Sequence, residues 1–286
     1  MILANKNTKI LVQGITGNQG SFHSKIMKDY GSKIVAGTSK SLKKEEVHKI
    51  PIYKSIKDAK NEHEVNATII FVPARFSKDA ILEAINENIE LIVIITEGLP
   101  ILDEMFVINE ALKKKLKIIG PNSPGILTPE VCKLGIIPHQ YFKKGSMGLV
   151  SRSGTLTYEI AYNMHAHGIS TAVGIGGDPI IGLDFIEILR LFENDSQTKA
   201  IIMIGEIGGI REERAAKFIK NEMSKPIFAF IAGSSITISG KRFGHAGALI
   251  VGNKGTARSK IEALKKAGVH VVNLPYQISE KISEIL

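Results

Sequence analysis

The stretch Lys9-Ile-Leu-Val-Gln-Gly-Ile-Thr-Gly-Asn-Gln-Gly20 decides the fold. Residues 9–13 are a short apolar run. The next seven space three glycines as G-x-x-G-x-x-G, and a helical stretch follows to residue 30. A strand that turns through glycines into a helix opens a βα unit. Glycine lets the backbone bend tightly and approach a phosphate, and the helix N-terminus offers free N–H groups and a positive dipole end. The spacing is not the G-x-G-x-x-G of dinucleotide sites. Such a site also wants an acid after the second strand, for the ribose hydroxyls. Here that strand ends Gly37-Thr-Ser-Lys-Ser-Leu-Lys-Lys44. Lysines where the acid should stand disfavour NAD, and with it an NAD-dependent oxidoreductase, and favour a phosphate-rich ligand. The plain alternative is a glycine-rich turn with no ligand.

The same grammar runs outward along the chain. Strands are predicted at 9–13, 33–37, 68–72, 91–95 and 117–119, with helices at 20–30, 77–88 and 103–115 between them. The strands are apolar at nearly every position, as buried parallel strands are. Residues 121–148 are rich in Pro and Gly and have no clear period. The grammar then restarts, with strands at 147–151, 171–175, 200–205, 227–232 and 270–273 and helices at 155–167, 183–193, 212–223 and 256–267. The expectation is an α/β chain of two doubly wound domains: a Rossmann-like domain at 1–122, a connection at 123–145, and a flavodoxin-like domain at 146–286. A length of 286 residues suits two domains.

Composition excludes several classes. The longest apolar runs, 91–95 and 200–204, are far too short to cross a bilayer. The first residues lack the layout of a signal peptide, which reads as a cytoplasmic protein. Cys132 stands alone, so an internal disulfide and a cysteine-rich metal site are both excluded. The net charge is +9, but the lysines are spread, arginines form no block and Trp is absent. That pattern points away from nucleic acid and suits a polyanionic small molecule.

Ligands of doubly wound sheets sit outside the carboxyl ends of the strands. Four loops of the second half should open there. In Val150-Ser-Arg-Ser-Gly-Thr155 a strand runs into a helix that Ser151 or Ser153 would cap, with the N–H groups of Gly154 and Thr155 facing an anion. The spacing is not that of the serine-hydrolase elbow. Gly174-Ile-Gly-Gly-Asp-Pro179 is a second turn, and Gly205-Glu-Ile-Gly-Gly209 places the Glu206 carboxylate at the same edge. The fourth is Ser239-Gly-Lys-Arg-Phe-Gly-His-Ala-Gly-Ala-Leu-Ile250. Most lone histidines are structural. Here Gly244, Ala246 and Gly247 leave the His245 ring uncovered. A neutral imidazole can attack through one nitrogen while a carboxylate such as Glu206 holds the other N–H. A phosphoryl group on the ring would need donors, which the helix start at Ser153 and Gly154 can supply.

These segments in order, QGITGNQGSFHS, ITEGLP, IGPNSPG, SRSGTLTYE, GIGGDPI, MIGEIGG and GKRFGHAGA, resemble the α subunit of succinyl-CoA synthetase, the nucleotide-forming succinate–CoA ligase. The resemblance spans essentially the whole chain. It implies a CoA-binding first domain and a second domain whose histidine, His245, is phosphorylated and oriented by Glu206. It places CoA on Thr16, Gly17, Asn18, Gln19, Ile95, Thr96 and Glu97, and the phosphoryl group at the helix begun by Ser153 and Gly154. Tyr158 matches a substrate position shared with the partner. It also implies an ATP-grasp β subunit, in an αβ or α₂β₂ assembly, that holds Mg²⁺ and ATP or GTP, and no metal on this chain. There are departures. The usual Pro-Gly-Lys-Gly-Gly loop reads Ser39-Lys-Ser-Leu-Lys-Lys-Glu-Glu46, so Lys43 or Lys40 must replace the lysine that contacts CoA. The usual cysteine of the Asn-x-Pro-Gly turn is Ser123, and the stretch 233–239 lacks an Ala-Pro. Relatives serve malate and other short acids, so a malate–CoA ligase α subunit is one alternative. A CoA- or nucleotide-binding module without catalysis is another.

Overall fold

The computed structural model describes residues 1–41, 45–233, 245–247 and 255–286. They form two compact units, Leu3–Ile137 with Ile180–Gly182, and Met1–Ile2 with Pro138–Pro179 and Leu183–Leu286.

The first unit runs β1 (Lys9–Gln13), α1 (Asn18–Asp29), β2 (Lys33–Thr38), β3 (Glu46–Val47), β4 (Ile50–Tyr53), α2 (Ile56–Glu62), β5 (Ala67–Ile70), α3 (Ala74–Asn86), β6 (Leu91–Ile94), α4 (Ile101–Lys113), β7 (Lys117–Ile119), β8 (Gly125–Thr128) and β9 (Cys132–Gly135). Its sheet has the order β3-β4-β2-β1-β5-β6-β7. All neighbours are parallel except β3, which pairs antiparallel with β4 at the edge. Every residue of β5 and β6 is buried, so both faces of the centre are covered. Helix α3 buries Ser77, Ala80, Ile81, Ala84 and Ile85, the stripe of a helix lying on a sheet. Leu11, Ile70, Ile81, Ile85, Ile92 and Val107 belong to one apolar core. Leaving β3 aside, the order is that of the dinucleotide-type fold, and its direction reverses between β1 and β5. A crevice therefore opens beyond the carboxyl ends of those two strands. Gly20 lets α1 start close to the turn, since a Cβ there would lie 2.2 Å from the Gly14 carbonyl oxygen.

The second unit contains a 3-10 turn (His139–Tyr141), β10 (Lys144–Ser151), α5 (Gly154–Asn163), β11 (Ile169–Gly174), α6 (Phe185–Glu193), β12 (Ala200–Glu206), α7 (Arg211–Glu222), β13 (Ile227–Ala232), α8 (Ala257–Lys266), β14 (His270–Val272) and α9 (Gln277–Ile285). The parallel strands lie in the order β14-β13-β12-β10-β11. This is the flavodoxin-like order, and its switch point lies between β10 and β12. Strand β12 is buried throughout, and α6 buries Phe185, Ile188, Leu189 and Phe192.

Several elements differ from the sequence expectation. The predicted connection carries the antiparallel hairpin β8–β9, paired Thr128↔Cys132 to Gly125↔Gly135. Short strands bounded by Gly and Pro leave too little periodicity to read. The strands β3 and β4 and the seven-residue α2 were not expected, and neither was α9. Helix α5 ends at Asn163 rather than 167, because the chain turns at Met164 and Gly168 takes a positive φ of 65°. Helix α6 starts at Phe185, where Asp184 and Glu187 form a capping box. No helix of the described residues is long and apolar enough to cross a membrane.

Candidate active site

The switch point of the second sheet gathers the loops singled out above. Ser151 at the end of β10 stands opposite Gly174 on β11 and Ile204 on β12, and Glu206 stands opposite Ala232 on β13. Four parallel strands thus end nearly level, and the turns after β10, β11 and β12 follow from that edge.

His245 and Glu206 meet there. The imidazole Nδ1 lies 2.9 Å from Oε1 and 3.0 Å from Oε2 of Glu206. A carboxylate only accepts, so Nδ1 carries the proton. In the neutral ring the lone pair is then on Nε2. The imidazole is about one third exposed and the carboxylate one tenth. The hydrogen bond that Nδ1–H donates to Glu206 raises the His245 pKa above its ordinary value, while burial and the nearby Arg152 charge oppose the rise and the charges of Glu206 and Asp178 support it. Gly177 packs against the ring, and its carbonyl accepts the Gly247 N–H at 3.0 Å. Arg211 holds that turn by donating to the Asp178 and Pro179 carbonyls at 3.1 and 2.6 Å.

Behind Glu206 runs a buried chain of charges. Arg152 Nη2 is 3.3 Å from Glu206 Oε1, and Nη1 donates to Glu212 Oε1 at 2.9 Å. Glu212 also accepts from Lys260 Nζ, and both of those side chains have no exposed surface. Lys260 reaches Glu213 and the Gly209 carbonyl, each at 3.1 Å. Alternation of sign lets so many charges lie out of water, and removing any one would strand its neighbour. The Glu212 carboxyl is held below the usual range by Arg152 and Lys260 despite complete burial. Sequence reading missed Arg152, Glu212 and Lys260 as a group. Arg152 stood inside a quoted turn, while Glu212 and Lys260 lie on predicted helices with nothing local to link them.

Of the two capping candidates, Ser153 is the N-cap of α5 and accepts from the Leu156 N–H at 3.3 Å, while Ser151 accepts the Ser153 N–H. Gly154 faces open space. Tyr158 lies elsewhere, in a surface hollow with Tyr141 and Tyr162, its ring stacked on Tyr141 at 5.7 Å. That hollow shares no lining residue with the His245 cluster. Among the described residues no three His, Cys, Asp or Glu side chains group as metal ligands would.

In the first unit, a cavity of about 350 Å³ opens at the other switch point. Gly14, Val72, Pro73 and Phe76 line it, and Lys40 and Lys54 bring positive charge. Asp79 and Glu83 also line it, but Glu83 already accepts the Ile56 N–H at 2.7 Å. Thr16 and Gly17 end the turn into α1, Asn18 and Gln19 open that helix, and the Thr16 hydroxyl meets that of the lining residue Ser39 at 2.9 Å. Ile95, Thr96 and Glu97 follow β6, and the Thr96 hydroxyl donates to the carbonyl of Val72 at 2.7 Å. Lys43 lies outside the described residues. Lys54 escaped the sequence reading, because the short strand β4 that it follows was not predicted.

Comparison with known proteins defines the class. Residues 5–98 match the model of the CoA binding domain, and residues 150–270 match that of the CoA-ligase domain. A CoA-binding domain ahead of a CoA-ligase domain makes this chain part of a CoA ligase. The chain is 52% identical to a succinate–CoA ligase [ADP-forming] subunit alpha of Aquifex aeolicus, over 100% of its own length and 94% of that relative. It is 51% identical to the subunit of the same name from Methanothermobacter thermautotrophicus, over 99% and 96%. Among solved structures, ATP citrate lyase of Methanosaeta concilii, bound to citryl-CoA, superimposes with a TM-score of 0.88 at 26% identity. That match covers 100% of this chain, which spans 51% of the lyase chain. The chain belongs to the family of succinate–CoA ligase alpha subunits.

Proposed function

We propose that this chain, with a β subunit of ATP-grasp type, joins succinate to CoA at the expense of a nucleoside triphosphate through phosphorylated His245. The observation that carries the reading is the Glu206 carboxylate on Nδ1, which leaves Nε2 as the free nucleophile. In the first step Nε2 attacks the γ-phosphorus. A P–N bond forms, the P–O bond to the nucleoside diphosphate breaks, and Glu206 stabilises the imidazolium charge through Nδ1–H. A carboxylate oxygen of succinate next attacks that phosphorus. The P–N bond breaks, the neutral ring returns and succinyl phosphate forms. The CoA thiolate then attacks the acyl carbon, and inorganic phosphate leaves with the C–O bond electrons. All steps are reversible.

Succinate and an adenine nucleotide are favoured by the names of the relatives, which read succinate–CoA ligase [ADP-forming]. The Mg²⁺ and the nucleotide are assigned to the partner, and the oligomer to αβ or α₂β₂. Ser153 and Gly154, at the start of α5, are proposed as donors to the phosphoryl group, and Lys40 and Lys54 as cations for the CoA phosphates. Thr16–Gln19 and Ile95–Glu97 are proposed to complete the CoA site, and Tyr158 to lie toward the partner. A cytoplasmic location is proposed with this reading. Malate remains the second substrate to test.

The experiment is to combine the chain with its β partner and labelled ATP. Acid-labile, base-stable label is expected on this chain and absent in His245→Asn. A mutant that still labels, or a wild type that never does, overturns the reading. A coupled assay with succinate and malate decides the acid.

A further inference from the structure

The phosphoryl chemistry proposed for His245 sets two demands that Glu206 alone does not meet. The carboxylate must be held still, or it cannot aim Nδ1. It must also not bind the proton so strongly that the ring stays an imidazolium, because only the neutral ring has a lone pair on Nε2. Both demands fall on whatever else touches Glu206.

Arg152 touches it. Its Nη2 lies 3.3 Å from Oε1, the oxygen that His245 Nδ1 approaches at 2.9 Å. The guanidinium cannot drift, since Nη1 donates to Glu212 Oε1 at 2.9 Å and to the Gly208 carbonyl at 3.1 Å. Lys260 holds Glu212 from its other side. The same guanidinium reaches forward, with Nη2 donating to the Gly247 carbonyl at 3.4 Å, two residues beyond His245. Gly247 lies close to it, as a Cβ there would sit 3.3 Å from Nη2. One immobile fork therefore grips both the base that orients the ring and the backbone that carries it.

We propose that Arg152 is a positioning residue of the phosphoryl transfer, acting through Glu206 and the Gly247 peptide to present His245 as a neutral imidazole with Nε2 free. This rests on the phosphohistidine reading above. Among the described residues, the charged groups around the ring are Glu206 from β12, Arg152 after β10, and Asp178 on the turn after β11, with Arg211 at the start of α7 behind that turn. Arg152 draws on the Glu206 charge and repels a proton on the ring. Asp178 does the opposite.

The test uses the αβ complex and two readouts. The first is the pH dependence of single-turnover label incorporation from ATP. The second is the titration of His245, followed by NMR in histidine-labelled chain within the same complex. Arg152→Met should move both midpoints to higher pH, by about one unit, and lower the plateau rate at least tenfold. Arg152→Lys keeps the charge but loses the fork, so it should leave the midpoints near wild type and still lower the plateau. In a Glu206→Gln background the midpoint shift of Arg152→Met should shrink to the part that comes from direct repulsion between the guanidinium and the ring. A structural role alone would lower the rate at every pH with the midpoints fixed. Unmoved midpoints in Arg152→Met, or a shift of undiminished size in Glu206→Gln, overturn the proposal. If Arg152→Met does not fold, Arg152→Lys decides, and a wild-type plateau in that variant overturns it. Because the NMR titration needs no phosphorylation, a wild type that never labels defeats the functional reading without deciding this one.

Discussion

Replacing Gly177 by Ala isolates the fit between the His245 ring and the turn beneath it. A Cβ built on Gly177 would lie 2.6 Å from Cγ, 2.8 Å from Cδ2 and 2.9 Å from Nδ1 of His245. Carbon–carbon contacts settle near about 3.5–4.0 Å, so about 1 Å of movement must be found. The φ of Gly177 is not in the left-handed region, so alanine fits the backbone and only the contact changes. The turn is the stiffer side, held by Arg211 on the Asp178 and Pro179 carbonyls. The ring must therefore give way, and the 2.9 Å contact with Glu206 is lost. A hydrogen bond to a charged group contributes about 1.5–3 kcal/mol, which corresponds to roughly 10- to 150-fold in rate. A reacting group misplaced by about 1 Å loses on the order of 100-fold, in agreement. Rapid-quench measurement of label transfer from ATP in the αβ complex should show that loss. CoA affinity, measured by calorimetry, should stay at the wild-type value. Labelling within about twofold of wild type would mean that the Glu206 contact does not set the rate.

Glu206→Gln removes the main cause of the raised His245 pKa, so the acid limb of phosphorylation should move to lower pH while the plateau falls about 10- to 100-fold; a limb that moves upward counts against the assignment. The same pair should stabilise the fold at acid pH, since a raised pKa contributes below the unfolded value near 6.5 and is lost as pH rises through the folded one; denaturation of Glu206→Gln across pH checks the sign. Lys40→Met and Lys54→Met should each raise the KM for CoA about two- to fivefold, as exposed ion contacts do, and the effect should shrink in high salt. Gly20→Ala should destabilise the first unit by about 1–3 kcal/mol and weaken CoA binding, because the new Cβ meets the Gly14 carbonyl; an unchanged denaturation midpoint would contradict the packing described. Cys132 should resist alkylation at pH 8 until denaturant is added, given its burial and a pKa of about 11.

The strands that were legible are those buried on both faces, where continuous apolar runs leave no other reading. Strand β13 falls at the expected residues, 227–232, and β12 runs one residue beyond its expected end, into Glu206 itself. What escaped was short or edge-placed. The hairpin β8–β9 and the strand β3 owe their existence to pairing partners rather than to a pattern of their own. Turn chemistry was readable only as alternatives. Ser151 and Ser153 looked equivalent, and the structure makes one the cap and the other its support.

The repeated βα units, the four loops at strand ends and the histidine set among small residues were all readable from the order of residues. Those follow from local physics: apolar runs, glycine turns and helix starts, each readable within about ten residues. Which charges meet is settled by the folding of distant segments together. Arg152, Glu206, Glu212, His245 and Lys260 lie on five separate segments, and nothing local marks them as one chain of ion pairs. Parallel register brings the ends of β10 and β12 level, and burial then forces each charge to find its opposite, because an unpaired one out of water costs more than the fold can spare.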